Sequence, residues 1–211
     1  MTAYDIQTDA PVCYLLGAGP LYDYCIHKRP GDLIIAADGG LNHARRMGLT
    51  PDVLLGDFDS LGSIPDVPGC IVLPREKDDT DMVAAAREGL ARGYRNFIIF
   101  GGTGGRADHT LANVQLLAFL KAQGADGLLM GEQNVMSLLC EETRCYPAGL
   151  DGYLSILAYG GEALVDLYGL KYAREHIVMT PAYPLGTSNE FTGQPARIAV
   201  RQGSVLVIYT R

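Results

Sequence analysis

No stretch of this sequence is long and apolar enough to span a bilayer, and its opening residues show no basic segment followed by an apolar run. The expectation is a cytoplasmic chain with neither membrane anchor nor secretory leader. Cysteine is sparse and odd in number: five, at 13, 25, 70, 140 and 145, with no C-x-x-C pair. Such usage points to reduced, mostly buried thiols and away from a disulfide framework. Basic residues are outnumbered, 17 Lys+Arg against 24 Asp+Glu, for a net charge of −7. That balance argues against nucleic acid or an anionic membrane as partner, since both select a basic face. A phosphate-rich small molecule stays open, because a bound cation inverts the local sign. No Gly-Lys pair occurs, which excludes a Walker P-loop, and neither H-E-x-x-H nor G-x-S-x-G is found.

What is present describes a globular chain. Its 211 residues are 48% hydrophobic and 19% charged, enough to bury a core without staples. Up to about residue 140, short apolar runs alternate with helical patterns. Runs at 12–17, 33–37, 53–56, 70–73 and 97–100 read as buried strands bounded by Gly, Pro or Asp. Residues 41–47, 80–92 and 108–123 read as helices, the second with Thr80 as its cap and Gly93 past its end. The alternation predicts an α/β domain over 1–140, a mostly parallel, Rossmann-like sheet with flanking helices, with 128–130 and 135–139 as further edge strands. Beyond 140 the helical period is lost. Strands are expected at 153–159, 163–168, 176–179 and 196–201, the last turning through Gln202-Gly203 into a hairpin partner at 204–209. Residues 141–211 thus read as a separate β-sandwich domain.

Carboxylates gather where the strands end. Asp38, Asp57, Asp59, Asp78, Asp79, Asp81 and Asp108 all follow a strand or open a helix, and in an open parallel sheet such positions share one rim. Any single one is explained by turn or helix-dipole preference. Seven together repel one another unless a cation neutralises them, and Mg²⁺ takes hard oxygen ligands of this kind. The loop Gly101-Gly102-Thr103-Gly104-Gly105-Arg106 lies between a strand and a helix, so backbone N–H groups and a guanidinium can meet a phosphate there. Gly102-x-Gly104-x-x-Ala107 also matches the dinucleotide fingerprint, though Asp108 would then face a pyrophosphate.

Five segments in order carry a resemblance: Ala37-Asp38-Gly39-Gly40, Gly56-Asp57-Phe58-Asp59-Ser60, Lys77-Asp78-Asp79-Thr80-Asp81, Gly104-Gly105-Arg106-Ala107-Asp108-His109-Thr110-Leu111-Ala112-Asn113 and Thr187-Ser188-Asn189-Glu190-Phe191. Together they resemble the thiamine pyrophosphokinase family over nearly the whole chain. The resemblance implies a homodimer with active sites at the subunit interface that transfers the pyrophosphoryl group of ATP to thiamine, leaving AMP. It implies that Asp57, Asp59 and Asp81 hold Mg²⁺ and the triphosphate, and that Arg106 and Asp108 lie beside the reacting groups. Asp38, Gly39, Lys77, Asp78, Thr80, Gly104, Gly105 and His109 fall on the nucleotide side. Ser188 and Asn189, with Asp108, fall on the thiamine side, the first two reaching it from the second domain. Asp108 or Asp81 is the expected proton acceptor. Some family members stack a Trp on thiamine, whereas this chain has 0 Trp; Tyr172, Tyr183, Phe191 and Tyr209 are the aromatic candidates. The alternatives are a pyrophosphokinase acting on another primary alcohol such as a hydroxymethylpterin, a dinucleotide-dependent oxidoreductase and a nucleotide sensor.

Overall fold

The computed structural model describes residues 9–58, 69–74, 76 and 78–211. Asp59 and Lys77, both expected at the site, lie outside the described residues. The chain divides into two compact units, Met1–Glu132 and Gln133–Arg211. Among the described residues no helix is long and apolar enough to cross a membrane.

The first unit alternates strands and helices: β1 (Val12–Leu16), β2 (Leu33–Ala37), α1 (Gly40–Arg46), β3 (Val53–Gly56), β4 (Cys70–Val72), α2 (Asp81–Ala91), β5 (Asn96–Phe100), α3 (Ala107–Ala122) and β6 (Asp126–Met130). The strand order is β6-β5-β1-β2-β3-β4, and every neighbouring pair is parallel. Every residue of β1, β2 and β3 is buried, which is why these strands read as unbroken apolar runs and not as alternating ones. The chain moves outward through β2, β3 and β4, then returns to the other side of β1 as β5. Such a reversal opens a crevice beyond the strands' carboxyl ends. Helix α2 packs across β1, β2 and β3, and its start matches the sequence signal. Thr80 Oγ1 accepts the Val83 N–H at 3.3 Å, and Asp81 stands in the first turn.

The second unit holds β7 (Asn134–Cys140), β8 (Thr143–Tyr146), β9 (Tyr153–Ala158), β10 (Ala163–Tyr168), β11 (Arg174–Met179), β12 (Gly186–Glu190), β13 (Ala196–Gln202) and β14 (Ser204–Thr210). Its strands form two antiparallel arrays, β12-β9-β14-β7 and β11-β10-β13-β8. The hairpin expected over 196–209 does not form. β13 pairs with β10 and β8, whereas β14 pairs with β7 and β9. The chain changes sheets at Gly203, whose φ is 78° and where a Cβ would stand 2.3 Å from Glu162 O. Burial alternates along β14 at Val205, Val207 and Tyr209, while β13 buries Ala196, Ile198, Ala199 and Val200, and such apolar strands serve a corner between packed sheets as well as a hairpin. The segment 135–139 lies within β7 and pairs along its length with β14.

Candidate active site

Because β1, β2, β3 and β5 are parallel, the segments that follow them emerge at one edge of the first sheet. Asp38 follows β2 at once, its N–H donating to Leu55 O at 2.8 Å. Gly56 ends β3, and a Cβ there would lie 3.2 Å from Asp38 Cα. The missing side chain lets the two strand ends close up, so the backbones bearing Asp38 and Asp57 are neighbours. Among the described residues Asp38, Phe58, Glu141, His176 and Ser188 are the non-glycine residues with positive φ. Three of them, Asp38 at 47°, Phe58 at 56° and Ser188 at 56°, fall in the segments singled out from the sequence. Left-handed backbone at such residues costs about 1–3 kcal/mol and persists where the surroundings over-determine it, commonly at functional sites.

The glycine loops after β1 and β5 are joined backbone to backbone. Gly17 N donates to Phe100 O at 2.8 Å and Gly19 N to Gly101 O at 2.9 Å. A Cβ on Gly19 would stand 2.5 Å from Gly101 O, so only glycine permits this approach. Met82 Sδ lies 3.0 Å from where a Gly17 Cβ would be, which sets the first turn of α2, and Asp81 with it, beside the same loop. Two residues not expected from the sequence anchor these loops. Buried Asn113 donates from Nδ2 to Gly102 O at 2.9 Å, and His43 Nε2 is 2.6 Å from Gly19 O. An amide on the apolar face shared by Val114, Leu116 and Leu117 was the available signal for Asn113, since a buried amide requires a partner.

Arg106 caps α3, and its guanidinium grips Asp108 with Nε to Oδ1 at 3.1 Å and Nη2 to Oδ2 at 2.6 Å. The Arg106 hydrogen bond holds the Asp108 carboxyl down to about 2, with help from the His109 N–H. Both side chains face solvent, as do Gly104, Gly105 and His109. Asp79 is paired with Arg87 at 2.7 Å, while Asp78 is exposed. Thr80 serves the helix cap. Among the described residues no group of three or more His, Cys, Asp or Glu gathers to hold a metal ion by itself. The carboxylates of Asp57 and Asp81 have the hard-oxygen chemistry that fits Mg²⁺, which takes one or two carboxylates and completes its shell with water and phosphate oxygens.

The second unit has its own cavity, about 820 Å³, whose lining includes Tyr153, Lys171, Tyr172, Leu185, Ser188 and Glu190. Ser188 N–H donates to Ser155 Oγ at 3.0 Å. Asn189 is buried, and its amide is committed to backbone: Oδ1 accepts from Tyr172 N at 3.0 Å and Glu190 N at 2.9 Å, while Nδ2 donates to Tyr172 O at 3.2 Å. The four aromatic candidates separate clearly. Phe191 is wedged edge-on between Tyr146 and Tyr209, and Tyr209 is buried. Tyr183 is exposed, and Tyr172, also exposed, lines the cavity.

Comparison with known proteins joins the two halves. The family model for the thiamin pyrophosphokinase catalytic domain matches residues 28–126, and that for the thiamin pyrophosphokinase vitamin B1 binding domain matches residues 144–205. The chain is 28% identical over 191 residues to the thiamine pyrophosphokinase of Bacillus subtilis (strain 168), a match covering 83% of this chain and 86% of that one. A crystal structure of a thiamin pyrophosphokinase family protein from Enterococcus faecalis superposes with a TM-score of 0.82 at 28% identity, covering 96% and 99% of the two chains. The crystal structure of the Bacillus subtilis enzyme shares the fold at a TM-score of 0.83 and 24% identity, covering 95% and 99%. With both halves matched in order, the chain belongs to the thiamine pyrophosphokinase family.

Proposed function

We propose that the chain catalyses its family's reaction, moving the pyrophosphoryl group of ATP onto the hydroxyl of thiamine to give thiamine diphosphate and AMP. The observation that carries this reading is one chain holding both parts such a transfer requires. One part is a rim of glycine loops and carboxylates with Arg106 at its edge; the other is an aromatic cavity beside Ser188.

On this reading the N–H groups of Gly39, Gly104 and Gly105 approach phosphate oxygens, while Asp38, Lys77, Asp78, Thr80 and His109 border the nucleotide. Asp57 and Asp81, with Asp59, hold Mg²⁺, which when bound neutralises charge on the triphosphate. The thiamine oxygen attacks the β-phosphorus; the new O–P bond forms as the bond to the bridging oxygen of the α-phosphate breaks, and AMP departs. Arg106 turns from Asp108 to the phosphoryl oxygens, a stronger bidentate partner. Released from the guanidinium, Asp108 regains basicity and accepts the alcohol proton; Asp81 is the second candidate for that role. Ser188 lines the acceptor cavity, and Asn189 keeps its wall in place. The active unit is a homodimer with its sites at the subunit interface, and its five free cysteines suit a reducing cytoplasm.

The test is to incubate the protein with ATP, Mg²⁺ and thiamine and to identify the nucleotide released. AMP formed only when thiamine is present is the expected result. ADP would make the chain a monophosphoryl kinase, and no turnover would remove the reading.

A further inference from the structure

The acceptor cavity contains a cation that belongs to the chain itself. Lys171 Nζ lies 2.7 Å from Glu190 Oε1 and 5.6 Å from the centre of the Tyr172 ring. A carboxylate on one side and an aromatic face on the other is the environment that recognises an organic cation. Tyr153 lies close enough to contribute to the field at the ammonium, and Glu190 first and foremost raises the lysine pKa above its ordinary value. Tyr153 and Glu190 also line a smaller neighbouring cavity of about 480 Å³.

The frame of this subsite does not depend on the ammonium. Lys171 N–H donates to Glu190 O at 2.9 Å, and the Asn189 amide fixes Tyr172 through both its backbone N–H and its carbonyl. Swinging the lysine side chain away therefore leaves the backbone that carries Glu190 and Tyr172 in place. The ion pair is also easy to open. Lys171 and Glu190 have side chains 50% and 38% exposed, and ion pairs so exposed contribute little in water. A flexible four-carbon stem gives the ammonium somewhere to go.

We propose that Lys171 is a tethered stand-in for the positively charged ring of the acceptor, occupying the Glu190–Tyr172 cation subsite until the ligand displaces it. The inference rests on the acceptor cavity being where thiamine binds. It makes Lys171 a specificity-determining residue: a cationic ring recovers the carboxylate and the aromatic face that the lysine gives up, whereas a neutral ring of the same shape does not.

The experiment is calorimetric titration without ATP, using thiamine and, as a bare cation lacking the alcohol, N-methylpyridinium. Lys171→Met is expected to bind both about three- to tenfold more tightly than the unaltered protein, and Lys171→Arg to bind them as the unaltered protein does. The gain should vanish in the double variant Lys171→Met with Glu190→Gln. Unchanged or weaker binding of both cations by Lys171→Met overturns the inference, as does a gain that survives loss of the Glu190 charge. Should the protein form no AMP with thiamine, the reading of the reaction fails separately, and the N-methylpyridinium titration still decides the role of the lysine.

Discussion

A guanidinium that holds a carboxylate through two hydrogen bonds is already shaped for a phosphoryl group, which offers the same pair of acceptors with more charge. Arg106→Ala should lower kcat by roughly 10²- to 10³-fold, and Arg106→Lys should not restore it, since an ammonium is a point charge without the fork. Steady-state kinetics checks both; a change in KM alone would make Arg106 a binding group only. The sign of the pH effect follows from the same pair. Arg106 keeps Asp108 ionised down to about 2. Without the guanidinium the carboxyl titrates higher, so the acid limb of kcat/KM in Arg106→Ala should move to higher pH. Asp57→Asn or Asp81→Asn should abolish turnover while the melting temperature stays put; near-normal activity would sink the proposed metal role. That these aspartates follow a strand or open a helix was legible, because such positions are local features. The clamping of Tyr172 by Asn189 was not legible, because the two are 17 residues apart and no local pattern announces the pair.

Between residue and whole, Asp32 shows how one side chain sets an element's entry. Its buried carboxylate accepts the Val12 N–H at 2.8 Å and the Arg29 N–H at 2.9 Å, tying the start of β1 to the turn before β2. Burial pushes its pKa up, but the two backbone donors and the Arg29 guanidinium prevail and hold it below the ordinary value. Its contribution is therefore complete above the ordinary carboxylate pKa and lost as pH falls through the lowered one. Asp32→Ala should cost about 1–3 kcal/mol in urea denaturation at neutral pH, and the gap to the unaltered protein should narrow in acid. The parallel strands and α2 could be read from sequence because their signals are contiguous: unbroken apolar runs, and a Thr-Asp start with a glycine stop. The sheet change at Gly203 could not, because an apolar run marks a strand as buried and does not tell which strand lies beside it. β12 was hidden for a different reason: Pro181, Pro184 and Gly186 punctuate the segment as a loop would, and its pairing to β9 is irregular between Gly186 and Asn189.

For the whole molecule the decisive question is whether one site draws on two subunits. A chain carrying Asp81→Asn and a chain carrying Tyr172→Ala should each be inactive or nearly so. If the site is shared across a homodimer, unfolding and refolding them together should recover about a quarter of normal activity, because half the dimers are mixed and each mixed dimer has one intact site. No recovery would confine the site to single chains. The compact units meet after Glu132. Nothing local in the apolar strand β7 announces its pairing with β14, about seventy residues on. β1 is flanked by a partner on each side and buried along its length. In heavy water its amides should be among the last of the first unit to exchange, through opening of the whole unit and not by local fraying. The Gly17–Gly19 turn hangs directly from that strand and is bonded to the end of β5, so this stretch of the rim should inherit the slow clock of the core instead of the fast one usual for glycine loops.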